Sequence, residues 1–195
     1  PDQILRLQLP YRSELMPEFK HAIVRKLGEN YSDGLTTSEL GTPDPDLAKR
    51  QHMGYVWNVM SQDIEPILLD AEPAHPDGCF VEDTAILTDE SAIICRPGHP
   101  DRLGETTSIA DVLGEVMPLH HIQAPGTVDG GDVQRIGRHF LIGQSARTNV
   151  AGAQQLAAKL TKLGYTSTIL PVPGGLHLKS GLSYAGENRL LVTAD

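Results

Sequence analysis

Twice along this chain an acidic residue opens a short hairpin pattern, an arginine follows the hairpin, and a helix follows the arginine. The first instance begins at Glu82-Asp83. Two apolar runs, Thr84 to Leu87 and Ala92 to Cys95, flank the turn residues Asp89-Glu90. Arg96, a Pro97-Gly98 turn, Arg102 and a helix over Ile109 to Val116 come next. The second instance begins at Asp132, where Val133 to Ile136 and Phe140 to Gly143 flank Gly137-Arg138. It continues with Arg147, the helix cap Asn149 and a helix over Ala151 to Leu163. A unit this small cannot bury its apolar face alone, so units of this kind must pack against one another. The pattern predicts an α/β fold of repeated ββαβ units. An earlier unit consists of a strand from His21 to Lys26, a Gly34-Leu35-Thr36 loop and a helix from about Asp46 to Ser61. Leu47, Val56 and Met60 should form its buried stripe, with Trp57 as a packing residue. A further hairpin begins at His177, turns at Gly186-Glu187-Asn188, and ends at Leu190 to Asp195 with no helix after it.

Composition narrows the partners. A net charge of -9 argues against nucleic acid or an anionic membrane, both of which select Lys/Arg-rich faces. No apolar run reaches the length of a membrane span. Two cysteines without framework spacing suggest neither a disulfide scaffold nor a zinc site, and they favour a reducing, cytoplasmic setting. At 195 residues, one domain is the expectation. We assign it to residues 16–195. Pro1 cannot initiate translation, whereas Met16 immediately precedes the first strand, so residues 1–15 read as an extension or a cloning scar and are set aside from the fold.

Two motifs carry chemistry. In Gly126-Thr127-Val128-Asp129-Gly130-Gly131-Asp132, carboxylates set among glycines can approach a cation closely. In Leu176-His177-Leu178-Lys179-Ser180, a histidine after an apolar strand is suited to proton transfer near neutral pH. This chemistry asks for a nucleophile. Cys79 and Cys95 both lie upstream of the two motifs and lack a cationic context that would lower their pKa, so they read as small packing residues.

Several runs together resemble one family. They are Asp33-Gly34-Leu35-Thr36-Thr37, Pro76-Asp77-Gly78-Cys79-Phe80-Val81-Glu82-Asp83, Arg96-Pro97-Gly98 leading to Arg102, the run from Gly126, Ser145-Ala146-Arg147-Thr148-Asn149 and the run from Leu176. In this order they are similar to the dimethylarginine dimethylaminohydrolases of the guanidino-group-modifying pentein superfamily. The resemblance implies a pentein-type α/β propeller of five ββαβ blades, incomplete here at its C-terminus. It implies hydrolysis of N-methylated arginines to citrulline and methylamine or dimethylamine through a covalent cysteine intermediate, the cysteine lying beyond residue 195.

By the same resemblance His177 is the acid/base and Asp129 the carboxylate beside it. Asp77, Glu82 and Asp83, with Asp129, hold the guanidinium; Arg102 and Arg147 hold the α-carboxylate; and Leu35 rides on a loop that closes over the substrate, with Gly34 as its hinge. No metal or cofactor is implied. The partner is a small-molecule substrate, and a homodimer is allowed.

Singly, each residue has a plainer reading. His177 fits a core histidine, Glu82-Asp83 a solvated strand end, Asp129 and Asp132 a tight glycine turn, and Arg147 surface charge beside a helix cap. Their joint occurrence in family order reverses this. Arginine and agmatine deiminases of the superfamily place an aspartate two residues after the histidine, where this chain has Lys179, which favours N-methylated substrates. Arginine deiminase-like activity is the alternative within the enzymes, and a catalytically silent guanidino-binding fragment is the alternative outside them.

Overall fold

The computed structural model describes residues 3–6, 19–36 and 39–193. Met16, Thr37 of the first loop motif and the last two residues of the final strand lie outside these. The chain divides into two compact units, Glu18–Val81 and Pro1–Pro17 with Glu82–Asp195. The first strand, β1 (Gln3–Arg6), belongs to the larger unit.

In the smaller unit β2 (His21–Arg25) runs parallel to β3 (Glu65–Leu69), with His21 opposite Glu65 and Arg25 opposite Leu69. Between them lies α1 (Pro45–Met60), one residue earlier than its sequence pattern suggests. Asp44 caps it by accepting from the Asp46 and Leu47 amides, and Pro45 fills the first helical position, where no N–H is needed. The expected buried stripe is absent. Leu47, Met60 and Trp57 are 44%, 45% and 65% exposed, and no residue of α1 is fully buried. The cause is local: α1 crosses a sheet of two short strands, and β3 has no fully buried residue to offer it.

The larger unit contains both predicted repeats as three-stranded sheets with the same wiring. β4 (Ala85–Leu87) and β5 (Ala92–Ile94) form an antiparallel hairpin, and after α2 (Thr106–Gly114) the strand β6 (Leu119–His121) returns parallel to β5. β7 (Val133–Ile136) and β8 (His139–Gln144) repeat this, followed by α3 (Val150–Lys162) and β9 (Thr166–Pro171) parallel to β8. α2 starts and stops earlier than the pattern indicates, because a 3-10 turn over Pro100–Glu105 leads into it and Gly114 ends it.

α3 shows how sequence becomes packing. Asn149 Oδ1 accepts from the Gly152 amide at 2.8 Å, and Gly152, Ala153, Leu156 and Leu160 recur on one face and are all buried. With Ile86, Ile93, Val133, Phe140 and Ile142 of both hairpins, Ala153, Leu156 and Leu160 form one core. A second core joins Ile136 and Leu141 to Leu178 and Leu190.

The last hairpin departs from its expected start. His177 does not open a strand but caps the short helix α4 (Leu178–Gly181), and only then come β10 (Leu182–Tyr184) and β11 (Arg189–Val192). Its turn is where the sequence places it, with Gly186, Glu187 and Asn188 all at positive φ. β1 pairs with β11 antiparallel, Gln3 opposite Val192, so β11 is the middle strand of a sheet ordered β1-β11-β10. The N-terminal segment set aside from the fold therefore contributes a strand to it. Among the described residues no helix is long and apolar enough to cross a membrane.

Candidate active site

Two acid-bearing 3-10 turns of the same build, Val81–Thr84 and Gly130–Asp132, meet at the start of the two hairpins. They can meet because Gly130 has no side chain: a Cβ there would lie 1.9 Å from the Glu82 carbonyl oxygen. The next glycine seats the histidine. The Gly131 amide donates to Asp83 Oδ1 at 2.8 Å, and a Cβ on Gly131 would stand 2.7 Å from Cδ2 of His177. The Gly130-Gly131 pair thus lets two carboxylates and an imidazole crowd against bare backbone.

His177 stands between carboxylates. Its Nε2 is 3.9 Å from Asp83 Oδ1 and its Nδ1 is 3.6 Å from Asp132 Oδ2. The second separation is slightly too long for a hydrogen bond, and Nδ1 has no other partner among the described residues, so the attraction is that of an ion pair which a small contraction would close. Burial lowers the affinity of His177 for its proton, but the Asp132 contact and the charges of Asp83, Asp132 and Asp129 outweigh it and raise the pKa above that of an ordinary histidine. Asp129 lies farther from the imidazole than Asp83 and Asp132 do. It offers an oxygen within 4.8 Å of ligand atoms of Asp83 and His177, while its Oδ1 accepts from the Gly98 amide at 2.7 Å and its Oδ2 lies 3.4 Å from Arg147 Nη1. Burial, with the Asp83 charge, raises the Asp129 pKa against the pull of Gly98, Arg102 and Arg147.

The two arginines differ. Arg102 is buried, with Nε and Nη2 on the Glu105 carboxylate at 2.7–3.0 Å and Nη1 on Asp83 at 2.8 Å. Burial opposes its charge, yet these carboxylates raise its pKa further. This commits the guanidinium to protein carboxylates, where the resemblance assigns it to a substrate carboxylate. Arg147 is less engaged, and its one ion pair among the described residues is the long one to Asp129. Glu105 was not singled out from the sequence; it sits at the i+3 position from Arg102, spacing that a charge-pattern search would find.

Glu82 is exposed and bonded to Lys179 Nζ at 2.7 Å, so the residue that the sequence comparison with deiminases picked out touches a candidate substrate carboxylate directly. In the smaller unit Asp77 Oδ2 accepts from the Leu35 amide at 3.0 Å. Gly34 has ordinary extended backbone rather than a conformation reserved for glycine. Its lack of a side chain instead leaves room for Asp77, whose Oδ1 would lie 2.7 Å from a Cβ. Cys95 is buried, and burial, then the charges of Asp129 and Asp83, push its thiol well up, so it is held protonated.

Asp83, Asp129 and His177 come close enough to hold a cation among them. With Arg102 already on Asp83 and Arg147 on Asp129, two of these carboxylates are partly neutralised, which suits a singly charged organic cation better than a metal ion.

Carboxylates and a histidine gathered at the hairpin starts of ββαβ repeats are the layout of the guanidino-modifying α/β class, the pentein superfamily. No protein-family model matches the chain. Over 179 residues it is 42% identical to the dimethylarginine dimethylaminohydrolase of Pseudomonas aeruginosa, covering 91% of this chain and 70% of that protein. The enzyme of the same name from Streptomyces coelicolor is 36% identical over 84% of this chain and 64% of its own. A solved structure of the Pseudomonas enzyme, a cysteine-to-serine mutant complexed with citrulline, superposes with a TM-score of 0.84 at 43% identity, over 85% of this chain and 66% of that one. The N-terminal domain of a cyanobacterial arginine dihydrolase shares the fold at a TM-score of 0.75 and 15% identity. The chain belongs to the dimethylarginine dimethylaminohydrolase family. It spans between 64% and 70% of the length of the two curated relatives.

Proposed function

We propose that the protein of which this chain is part hydrolyses N-methylated arginine to citrulline and a methylated amine. The carrying observation is the placement of His177 against Asp83 with Asp129 in reach, three groups that can hold a planar cation and deliver a proton to it. A cysteine thiolate from outside residues 1–195 attacks the guanidino carbon. The C–N bond to the methylated nitrogen breaks, and the amine leaves with a proton from His177. Water, deprotonated by the same imidazole, then attacks the thiouronium carbon, releasing citrulline and the thiolate.

Asp77, Glu82, Asp83 and Asp129 are the proposed guanidinium carboxylates, and Leu35 is the proposed residue of a loop that closes over substrate. Arg147, half-engaged and beside Asp129, is the better placed of the two arginines for the α-carboxylate. Arg102 then acts on substrate by holding Asp83 in place, and contributes to carboxylate binding only by exchanging partners. Lys179, bonded to Glu82, stands where the related deiminases carry an aspartate for the unsubstituted nitrogen, and the lack of an acid there favours the methylated substrate.

The test is citrulline formation by the full-length protein from asymmetric dimethylarginine and from arginine under the same conditions. We expect release from the methylated substrate and far less from arginine. Faster turnover of arginine would make it a deiminase, and no citrulline from either would overturn the reading.

A further inference from the structure

Among the described residues of the smaller unit, Arg25 is the one buried cation, and no sequence motif singled it out. It ends β2, opposite Leu69 at the end of β3, and is only 3% exposed. Its guanidinium is spread over the loop that leaves β3. Nε donates to the Gly78 carbonyl at 3.1 Å and Nη1 to the Asp70 carbonyl at 3.0 Å, while Nη1 also pairs with Glu72 Oε1 at 3.1 Å. Asp70 is the first residue after β3 and Gly78 lies near the far end of the loop, so one side chain ties the two ends together and Glu72 compensates its charge. Short turns fill the span, with the His75 amide on the Glu72 carbonyl and the Gly78 amide on the His75 carbonyl, each at 3.0 Å. A Cβ on Gly78 would stand 3.1 Å from the His75 carbonyl oxygen and 3.4 Å from Arg25 Cδ, so the loop lies close against the arginine stem. Immediately before Gly78 comes Asp77, also buried, whose Oδ2 accepts from the Leu35 amide.

We propose that Arg25 is the positioning residue of Asp77: its guanidinium pins the 70–78 loop at both ends and so sets where the Asp77 carboxylate points and where the Leu35 amide is held. The proposal rests on the reading of Asp77 as a guanidinium carboxylate and of Leu35 as part of a loop over substrate. That second loop follows β2 directly from Arg25. It is fastened to the first by Asn30 Nδ2 on the Pro73 carbonyl at 2.9 Å as well as by the Leu35 amide on Asp77. Both loops leave the carboxyl ends of parallel strands, the end where open α/β sheets carry their ligands, and Arg25 sits at the root of both. A loop without a ladder depends on side-chain donors to satisfy its buried carbonyls. Arginine suits the task, because a buried cation must be paired and hydrogen-bonded, and its rigid fork fixes several acceptors in direction where a lysine ammonium is a point charge on a flexible stem. In the proposed reaction Asp77 meets the substrate, and Arg25 acts through it.

Arg25→Lys in the full-length protein keeps the charge and loses the fork. We expect the Leu35 amide to exchange its hydrogen about tenfold faster than in wild type while the amides of β8 keep their rates. The KM for asymmetric dimethylarginine should rise about tenfold with kcat within about threefold, the pattern of lost binding that ground and transition states share. In an Asp77→Asn background the same substitution should change KM by less than about twofold, because the carboxylate that it positions is gone. A packing role would lower the melting temperature and leave KM and Leu35 exchange unchanged, which overturns the proposal, as do KM effects that multiply in the double variant. Glu72→Gln loosens the same clamp from its other side and should move Leu35 exchange and KM in the same direction by about threefold. No shift there overturns the proposal even if Arg25→Lys fails to fold. Exchange rates do not depend on turnover, so wild-type protein that releases no citrulline would sink the functional reading and leave Leu35 exchange to decide the Arg25 assignment.

Discussion

At the scale of single residues, the site is a set of charges whose protonation is fixed by neighbours rather than by residue type. His177→Ala should lower kcat of the full-length enzyme by about 10²–10⁴, the usual effect of losing a general acid/base, while its melting temperature moves little. A collapse in stability with kcat retained would make His177 a packing residue instead. The raised pKa of His177 also sets a sign for stability. Its protonated form is favoured in the folded state, so its contribution is complete below the ordinary histidine range and is lost as pH rises through the raised value. Melting curves should show His177→Ala closer to wild type at pH 9 than at pH 6. Lys179→Asp removes the cation from Glu82 and sets a carboxylate beside it, so kcat/KM should shift from dimethylarginine toward arginine, read from steady-state kinetics on both. An unchanged ratio would remove Lys179 from the specificity argument.

Among the elements, α3 separates intrinsic propensity from packing. Gly152 is in its first turn, where alanine is the better helix former by about 0.5–1 kcal/mol. A Cβ on Gly152 would, however, sit 1.9 Å from the Thr127 carbonyl oxygen, which is backbone and cannot swing aside. Gly152→Ala should therefore destabilise the protein, with a lowered denaturant midpoint as the readout; an increase would mean that the α3 contact with Thr127 is looser than described. Asn149 does three things at the same helix start, capping Gly152 and bonding both the Thr127 amide and the Pro125 carbonyl. Asn149→Ala should cost about 1–2 kcal/mol, toward the upper end for a helix cap, again by denaturant titration.

Across the larger unit, the two repeats are fastened by more than their shared apolar core. Tyr165, just before β9, accepts from the Asp89 amide and donates to Glu90 in the turn of the first hairpin, while Arg138 of the second hairpin turn stacks on its ring at 4.0 Å. This wiring of ββαβ units was legible in the sequence, because period-two hairpins, turn residues and a capped amphipathic helix are local signals that the chain states twice. The choice of acid, histidine and arginine positions was legible too, as a pattern of residue types. What the sequence could not state was who faces whom. That Asp132 rather than Asp129 lies against Nδ1, that Arg102 reaches Asp83, and that α1 has no buried stripe all depend on which backbones pass close together. Those distances follow from the Gly130 and Gly131 contacts and from how many strands each helix covers, and no period or spacing in the chain encodes them. Local order follows from propensity and patterning along the chain, whereas the partners of a charge are selected by packing between segments far apart in sequence.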